Sequence, residues 1–329
     1  MTRLTCDPAT RRHVLRVMAA LAAAPAWSQD AFPSKPVRLV VPAPPGGLTD
    51  IVARLMADGL QSDLRQTVVV DNRPGAAGLI GTQAVADAPA DGYTLLMTST
   101  SNHVLAPLTQ KSARVDPARD LQPIGLALRT AGVLVVPSAL AVRTLPEFIA
   151  LARSRPGQLN YASSGIGSTN HVQTERFKAL TGIDIVHVPF RGGAPLMSAV
   201  MGSEVQFALM DYATVEPALR SGRARLLAQT GTRRHVAMPD VPTLIELGFK
   251  DYDPSFWIGL AAPRSTPAAV ISTLNAAMNR ALAQTAFKAR AQAQGWTLVG
   301  GAPTVLADTV GREIAGYRET VGGLNLDRQ

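Results

Sequence analysis

Glycines stand next to predicted helix starts at several places in the sequence. The segments "PAPPGGLTD" (42–50), "DNRPGAAGLIG" (71–81), "SSGIGSTNH" (163–171) and "PFRGGAP" (189–195) each follow an apolar run and precede a helical pattern. The first N–H groups of a helix lack intrahelical partners and carry a partial positive charge, so anions bind there. Glycine lets a ligand approach the backbone closely. The pattern predicts an anion site built from backbone donors; the alternative is that these residues only turn the chain.

The side chains around these glycines indicate which anion the site would take. Gly46 and Gly47 are predicted to let it reach the helix that begins near Asp50, with Thr49 as a cap or a ligand contact. Asp50 has a simpler interpretation, as a first-turn carboxylate stabilised by the helix N-terminus. Arg191 is a candidate carboxylate clamp, or else a solvated arginine at the rim. Because the phosphate and dinucleotide glycine motifs are absent, a carboxylate is favoured.

The remaining polar residues form no recognisable catalytic or metal-binding pattern. The five histidines include neither H-x-x-x-H nor H-E-x-x-H, and G-x-S-x-G is absent. His171 is predicted to pack or to cap a helix, and Trp257 to lie in the core. Asp211 is a candidate for accepting a ligand N–H or for orienting a loop. We therefore predict no catalytic residues, no metal and no cofactor.

The elements that must position these residues alternate between apolar runs and helical patterns. We predict strands at 37–41, 67–71, 94–98, 132–136, 159–163, 184–188, 205–210, 224–229 and 257–262. Helices are predicted to start near Asp50, Gly78, Leu145, Asn170, Ala194, Thr214, Thr266 and Pro303. This alternation indicates an α/β fold with parallel sheets, followed by a helical C-terminal cover. The stretch 99–131 is polar and is predicted to be irregular. This stretch and 231–256 are predicted to cross between two α/β domains that enclose a ligand cleft.

The first 28 residues are predicted to be an export signal. Arg11, Arg12 and Arg16 precede an apolar run at 17–25, and Ala-Trp-Ser follows as a cleavage pattern. The apolar run is too short to span a bilayer. The arginines fit either the general or the twin-arginine export route. Export predicts a periplasmic location. The alternative interpretation of these 28 residues is an ordinary buried N-terminal helix.

The chain without this leader is predicted to be mildly basic. The leader holds four arginines and one aspartate, so the formal net charge falls from +8 to +5 (8 − 3). Without a basic run, a nucleic-acid partner is not expected, whereas a mild positive charge suits anionic small ligands. Cys6, the only cysteine, lies in the leader. The exported chain is therefore predicted to form no disulfide and no thiolate metal site.

Long segments of the sequence resemble a known receptor family. They include "KPVRLVVPAPPGGLTDIVARLMADGL", "VVVDNRPGAAGLIGTQAVADAPADGYTLLM", "LNYASSGIGSTNH", "VPFRGGAP" and "MPDVPTLIELGF". In this order, over about residues 33–325, they resemble the Bug family, the periplasmic solute-binding receptors of tripartite tricarboxylate transporters. The resemblance implies a type II periplasmic-binding-protein fold, with two α/β lobes and a ligand cleft between them. The implied lobes are 29–127 with 253–329, and 128–252.

The resemblance also implies which residues bind the ligand. The family's carboxylate site uses four loops and an aspartate that follows a strand in the second lobe. In this sequence those positions are Gly46, Gly47, Thr49, Asp50, Thr100, Ser101, Asn102, Ser164, Gly165, Gly167, Ser168, Gly192, Gly193, Ala194 and Asp211. Arg191 completes the predicted ligand site. Two departures, Ala43 where the family has an aromatic residue and Leu48 where it has a small or polar one, hint at a ligand with an apolar part.

The implied function is capture of a small organic carboxylate by lobe closure. The loaded receptor would deliver the ligand to the membrane permease subunits of a tripartite tricarboxylate transporter. We expect a monomer with no nucleic-acid partner and no enzymatic activity. Two alternatives stay open at this point: a ligand-loaded sensor for a membrane signalling kinase, and a periplasmic enzyme on the same scaffold.

Overall fold

The computed structural model describes residues 32–110, 113–250, 252 and 254–324. The export signal predicted at 1–28 therefore lies outside the described residues. Residues from Lys35 onward form one compact unit, and all elements named below belong to it. The lobe boundaries that the family resemblance implies, after residues 127 and 252, stay predictions.

Every strand predicted from an apolar run is present. The described strands are β1 (Val37–Val41), β2 (Val68–Asn72), β3 (Thr94–Ser99), β4 (Leu121–Pro137), β5 (Asn160–Ser163), β6 (Val186–Pro189), β7 (Phe207–Asp211), β8 (Ala224–Gln229), β9 (Ser255–Pro263) and β10 (Trp296–Leu298). In β1, Leu39, Val40 and Val41 are all fully buried. Because such a strand is covered on both faces, its sequence is a continuous apolar run and does not alternate.

Helices follow most of these strands. The described α-helices are α1 (Leu48–Leu64), α2 (Leu79–Ala86), α3 (Ala106–Thr109), α4 (Pro117–Asp120), α5 (Leu145–Ser154), α6 (Thr169–Thr181), α7 (Gly193–Met201), α8 (Tyr212–Arg220), α9 (Ala268–Ala283), α10 (Thr285–Gln294) and α11 (Pro303–Gly323). A 3-10 turn at Ala76–Gly78 follows β2, and a π-helical segment at Thr100–Leu105 follows β3. The helical cover predicted for the C-terminal region is confirmed, although the short strand β10 interrupts it.

The strands form two sheets that share β4. In the first sheet, β1 lies parallel between β2 and β3, and β9 pairs antiparallel with β3 and β4. In the second sheet, β5 lies parallel between β6 and β7, and β4 pairs antiparallel with β7 and β8. The predicted parallel pairing is therefore correct among β1, β2 and β3 and among β5, β6 and β7, and wrong for β4, β8 and β9. The short strand β10, which was not predicted, pairs antiparallel with β4.

Strand β4 corrects the prediction that the whole stretch 99–131 is irregular. Its 17 residues run without interruption from the first sheet into the second, and Ile124, Leu126 and Leu128 are fully buried within it. The register against β9 shifts twice along this segment. Such irregularities break the period-two alternation by which a strand is recognised in a sequence. The return connection, 231–256, leads from β8 in the second sheet to β9 in the first, as predicted.

Candidate functional site

The loops that follow the parallel strands of both sheets enclose a cavity of about 920 Å³. Segments after β1, β2 and β3 line it from the first sheet, and segments after β5, β6 and β7 line it from the second. Ligands of open parallel sheets bind at this carboxyl edge of the strands. The cavity is therefore the candidate binding site.

Most of the predicted ligand-binding residues come together in the lining of this cavity. They are Gly47, Thr49, Thr100, Ser101, Asn102, Ser164, Gly165, Ser168, Arg191, Gly192, Gly193 and Asp211. The other four predicted residues, Gly46, Asp50, Gly167 and Ala194, are not part of the lining. Gly46, Asp50 and Gly167 form hydrogen bonds that hold lining segments in place, and Ala194 lies beside Gly46.

Asp50 anchors the Pro-Pro-Gly-Gly loop from behind. Its side chain is buried, and Oδ2 accepts a hydrogen bond from the Gly46 N–H at 3.0 Å. Oδ1 accepts from Asn72 Nδ2 at 2.9 Å and from Arg54 Nη2 at 3.0 Å. Burial alone would raise the pKa of Asp50, but the hydrogen bonds from Arg54, Gly46 and Asn72 outweigh it and hold that pKa below its ordinary value. Asp50 is thus an ionised anchor for the loop.

Three helices begin at the cavity without a side-chain cap. The N-cap residues of α1, α6 and α7 are Gly47, Ser168 and Gly192, and none caps its helix through a side-chain hydrogen bond. All three residues line the cavity. The first N–H groups of an uncapped helix need an acceptor from outside the helix. At α6 the Thr169 N–H already donates to Ser101 Oγ. The remaining first-turn N–H groups of the three helices can supply donors and a positive potential to an anion in the cavity.

Asn170 organises the Ser-Gly-x-Gly loop. Its Oδ1 accepts from the Ser164 N–H at 3.1 Å, from Ser164 Oγ at 2.9 Å and from Ser168 Oγ at 2.6 Å. Behind the loop, the Gly167 N–H donates to His171 Nδ1 at 3.1 Å, and a Cβ on Gly167 would overlap Thr109. Gly167 therefore lets the loop pack closely against the first sheet's helices.

Direct contacts across the cavity connect loops of the two sheets. Ser101 Oγ lies 2.9 Å from Thr169 Oγ1 and accepts the Thr169 N–H at 3.0 Å. A Cβ on Gly192 would overlap the Pro44 ring. A Cβ on Gly46 would lie 3.4 Å from that of Ala194. The Pro-Pro-Gly-Gly and Gly-Gly-Ala-Pro loops thus touch, so the cleft is closed at this point.

The hydrogen bonds of Asp211 agree with the loop-orienting interpretation, one of the two predicted for it. It is the N-cap of α8, and its Oδ1 accepts from the Thr214 N–H at 2.9 Å and from Thr214 Oγ1 at 3.0 Å. Burial raises the pKa of Asp211 above its ordinary value, although the bonds from Thr214 act in the opposite direction. Its carboxylate is buried at the cavity wall and fixes the start of α8.

Arg191 is the only lysine or arginine among the described lining residues. Its side chain is exposed and forms no hydrogen bond or ion pair with any described residue. A guanidinium in this position can pair with a carboxylate through two parallel N–H donors. The geometry therefore permits the clamp interpretation of Arg191.

A left-handed segment after β2 lines the cavity and was not among the predicted site residues. Gly75, Ala76, Ala77 and Gly78 have φ values of 125°, 49°, 49° and 97°, and Pro74 precedes them in the lining. Successive backbone N–H groups in such conformations form concave anion-binding surfaces. The sequence signal for this segment is its Pro-Gly-Ala-Ala-Gly string, one of the glycine loops that follow predicted strands.

Apolar side chains in the lining were also missed. Ile166, Phe190, Met210 and Phe256 contribute to the wall, from four segments far apart in the sequence. Trp257, predicted to lie in the core, is fully buried and also borders the cavity, and its Nε1 donates to Glu313 Oε2 at 2.7 Å. No local pattern groups these residues, because only the fold brings them together.

The histidines near the site are held neutral. His171 and His187 stack with ring centroids 4.1 Å apart behind the Ser-Gly-x-Gly loop. Burial, and then the neighbouring His171, lower the pKa of His187 to about 4; burial also lowers the pKa of His171. Burial lowers the pKa of His103 to about 4. These rings are therefore neutral packing groups. Each can also take part in a hydrogen bond; for example, His171 Nδ1 accepts the Gly167 N–H.

Two further features concern only the described part of the chain. No helix within it has the length and apolar character that a membrane span requires. No group of three or more histidine, cysteine, aspartate or glutamate side chains within it is arranged to hold a metal ion.

Comparisons with known proteins agree on one family. The sequence model of the tripartite tricarboxylate transporter family receptor, TctC, matches residues 52–303. BugT of Bordetella pertussis is 37% identical over 298 residues, which cover 89% of this chain and 91% of that protein.

Two solved structures extend the similarity to three dimensions. R. palustris Rpa4515, solved with adipate, has a TM-score of 0.87 and 33% identity, and the match covers 90% of this chain and 99% of that one. MatC from Rhodopseudomonas palustris, with bound malate, has a TM-score of 0.84 and 32% identity, covering 88% of this chain and all of that one.

Proposed function

The chain belongs to the family of tripartite tricarboxylate transporter receptors, and from this premise we propose that it captures a small organic carboxylate and delivers it to a membrane permease. The resemblance to the Bug family is confirmed by the family match and by BugT. The type II periplasmic-binding-protein fold, with two α/β lobes around a ligand cleft, is confirmed by the similarity to solved structures of periplasmic binding proteins. The molecule is thus a solute-binding receptor, and the proposal concerns its ligand and its partner.

The observation that carries the proposal is the meeting of three uncapped helix N-termini at one cavity. Their N-caps, Gly47, Ser168 and Gly192, come from both sheets. A carboxylate is small enough to accept several of these N–H donors at once, and Arg191 supplies an additional charged partner. The adipate and malate in the two similar structures are carboxylates, which supports the same ligand chemistry here.

Capture is proposed to occur by closure of the lobes. The contacts Ser101–Thr169 and Pro44–Gly192 join the two sides of the cleft. A ligand bound to N–H groups on both sides favours this closed arrangement by the difference between its affinities for the closed and open forms. The closed receptor would then present one defined surface to the permease. The predicted leader and the family together support a periplasmic location for the mature, monomeric protein.

We propose that the receptor does not catalyse a reaction on its ligand. Ser163 Oγ and His187 Nε2 lie 2.6 Å apart, a distance that also occurs between a nucleophile and its base. Ser163 is fully buried and does not line the cavity. The hydroxyl is therefore out of reach of a ligand in the cleft, and the pair belongs to the packing behind the loop.

The first test replaces Gly47 by valine. Gly47 has a φ of −92°, which any residue adopts, and a Cβ there would have its nearest neighbour, the Gly193 N, at 3.9 Å. The valine side chain should therefore leave the fold intact while it occupies the space in front of the α1 N-terminus. We expect carboxylate affinity to fall by at least ~10-fold, or ~1.4 kcal/mol, in calorimetric titrations of protein stripped of ligand by unfolding and refolding.

The matched control is Gly311→Val, on α11, where a Cβ meets nothing within 4 Å. Its carboxylate affinity should equal that of the wild type. The wild-type protein should be stabilised by about 2.7 kcal/mol at a ligand concentration of 100 times Kd. Equal affinity in Gly47→Val and wild type, or binding of an amide as tightly as its acid, would contradict the proposed site.

A further inference from the structure

The polar side chains of the cavity wall are largely bonded to one another. Ser99 Oγ donates to Asn102 Oδ1 at 2.8 Å, and Asn102 Nδ2 donates to Thr82 Oγ1 at 3.0 Å. Ser101 is bonded to Thr169. The amide of Asn170 is bonded on both sides, because its Oδ1 accepts from Ser164 and Ser168 and its Nδ2 donates to the Met210 sulfur.

Other polar side chains of the cavity wall are bonded in the same way. Asp211 Oδ1 accepts from the Thr214 N–H and Oδ2 accepts from Thr214 Oγ1, and Gln110 Nε2 donates to the Ile166 carbonyl. Among the described lining residues, the side chains of Thr49 and Arg191 form no such hydrogen bond, and Gln110 Oε1 is an acceptor without one. Together with the backbone N–H groups, Thr49 and Arg191 are suitable donors to carboxylate oxygens, which accept up to about four hydrogen bonds per group.

The rest of the wall is apolar and comes from both sheets. Leu48 is the first residue of α1, Met210 is the penultimate residue of β7, and Ile166, Phe190 and Phe256 are each partly exposed. Phe190 and Phe256 pack on the two apolar cores of the second sheet, which fixes their rings against the cavity. These surfaces can contact hydrocarbon and aromatic groups but offer no hydrogen-bond partner to a hydroxyl or an amine.

The cavity is also large for a short diacid. Although the Pro44–Gly192 contact closes one part of the cleft, about 920 Å³ remains. Pockets for drug-sized ligands have volumes of about 300–1,000 Å³, so a four-carbon diacid would fill only part of this space.

We propose that the ligand is a carboxylic acid with a hydrocarbon body that carries no hydroxyl or amino substituent. This body is either an aromatic ring or a chain of similar size. This inference rests on the proposed carboxylate-receptor function and specifies the ligand class for the same site. The carboxylate binds at the helix N-termini and Arg191. The body fills the space bordered by Leu48, Ile166, Phe190 and Phe256, and its apolar surface leaves water on binding.

The inference is tested with pairs of acids that differ by one hydroxyl group. The pairs are 3-phenylpropionate with 3-phenyllactate for the ring, and succinate with malate for a short chain; adipate and hexanoate represent longer chains. Titration calorimetry on refolded, ligand-free receptor should show tighter binding for the member of each pair without the hydroxyl. We expect a ratio of at least ~5-fold, because a hydroxyl placed against the apolar wall loses water without gaining a partner there. Ring and chain acids of similar size should both bind more tightly than succinate.

A substitution in the apolar wall distinguishes the loss of a ligand contact from a general loss of stability. Phe190→Ser should weaken 3-phenylpropionate binding by ~10-fold or more while the acid is still preferred over its amide. Phe249→Ser is the matched control, because Phe249 is also partly exposed and packs on the second sheet's core without lining the cavity. Its affinity for 3-phenylpropionate should equal that of the wild type.

The outcomes separate this inference from the function on which it rests. Tighter binding of malate than succinate and of phenyllactate than phenylpropionate, or equal affinities in Phe190→Ser and wild type, would overturn the ligand class while the carboxylate receptor stands. Failure of every carboxylate to bind would overturn both.

Discussion

At the scale of single residues, the site depends on positions where a side chain has no room. Gly192 is the N-cap of α7, has a φ of 107°, and lies against the Pro44 ring, which a Cβ would overlap. An L-residue rarely adopts this backbone conformation. Gly192 therefore allows the contact between the two glycine loops and the exposure of the α7 N-terminus at the same time.

Gly192→Ala tests this role. The added methyl group should force α7 and the Pro-Pro-Gly-Gly loop apart, so we expect ligand affinity to fall by ~10-fold or more and the free energy of unfolding by roughly 1–3 kcal/mol. Gly222→Ala is the control, because Gly222 has a φ of 67° and nothing within 4 Å. That variant should lose only ~1–2 kcal/mol of stability and keep its affinity. Equal affinity losses in the two variants would contradict the role of Gly192.

At the scale of elements, the left-handed segment after β2 combines strain with a position at the cavity. Ala76 and Ala77 are L-residues at φ of 49° between two glycines. This conformation costs an L-residue roughly 1–2 kcal/mol. Two hydrogen bonds hold the segment in this conformation. The Arg73 N–H, just after β2, donates to Val41 O, and within the segment the Gly78 N–H donates to Gly75 O.

Replacing Ala76, whose side chain is exposed, isolates the backbone contribution. Ala76→Gly should raise the free energy of unfolding by up to ~1 kcal/mol, since relief of strain exceeds the glycine entropy cost of about 0.4–1 kcal/mol. Ala76→Val should lower it, because a β-branched residue tolerates positive φ poorly. Ala269→Gly, at an exposed position in α9, should instead lose up to ~1 kcal/mol. Urea unfolding midpoints measure all three; a loss of stability in Ala76→Gly would contradict the strain.

The elements also show what could be predicted from sequence. Buried runs such as 37–41 and 205–210 were identified as strands because their composition alone specifies burial. The first part of β4 was missed, since its irregular register removes the alternation. At the site, glycine loops were predictable from their position after strands. Phe190 and Phe256 were not, because a wall assembled from distant segments leaves no local pattern.

At the scale of the whole molecule, buried neutral histidines couple stability to pH. His103 accepts or donates one bond with the Thr98 hydroxyl at 2.7 Å, and burial lowers its pKa to about 4. The ordinary value is about 6.5. The unfolded chain therefore binds a proton at a higher pH than the folded chain, so this histidine's stabilisation is complete above about pH 6.5 and is lost as the pH falls towards 4. His187 behaves in the same way.

The contribution of His103 is isolated by comparing how steeply the free energy of unfolding falls with decreasing pH in the wild type and in a variant. Between about pH 6 and pH 5, each such histidine should reduce the free energy of unfolding by up to ~1.4 kcal/mol per pH unit. His103→Gln should therefore show a shallower decline than the wild type in urea titrations across this range. Carboxylates such as Asp50 and Asp211 titrate in both proteins and cancel in the difference. Parallel slopes would show that His103 is not held neutral by the fold.

The shared strand β4 has a consequence for cutting the chain. Its first part pairs with β9 and its last part with β7 and β8, on either side of Ala131. A polypeptide divided there would give each fragment an exposed, unpaired sheet edge, and such edges recruit other strands. Neither half is therefore suited to expression alone, whereas co-expressed halves should reassemble. The same division would make the receptor a split reporter, in which ligand promotes the joining of its two pieces.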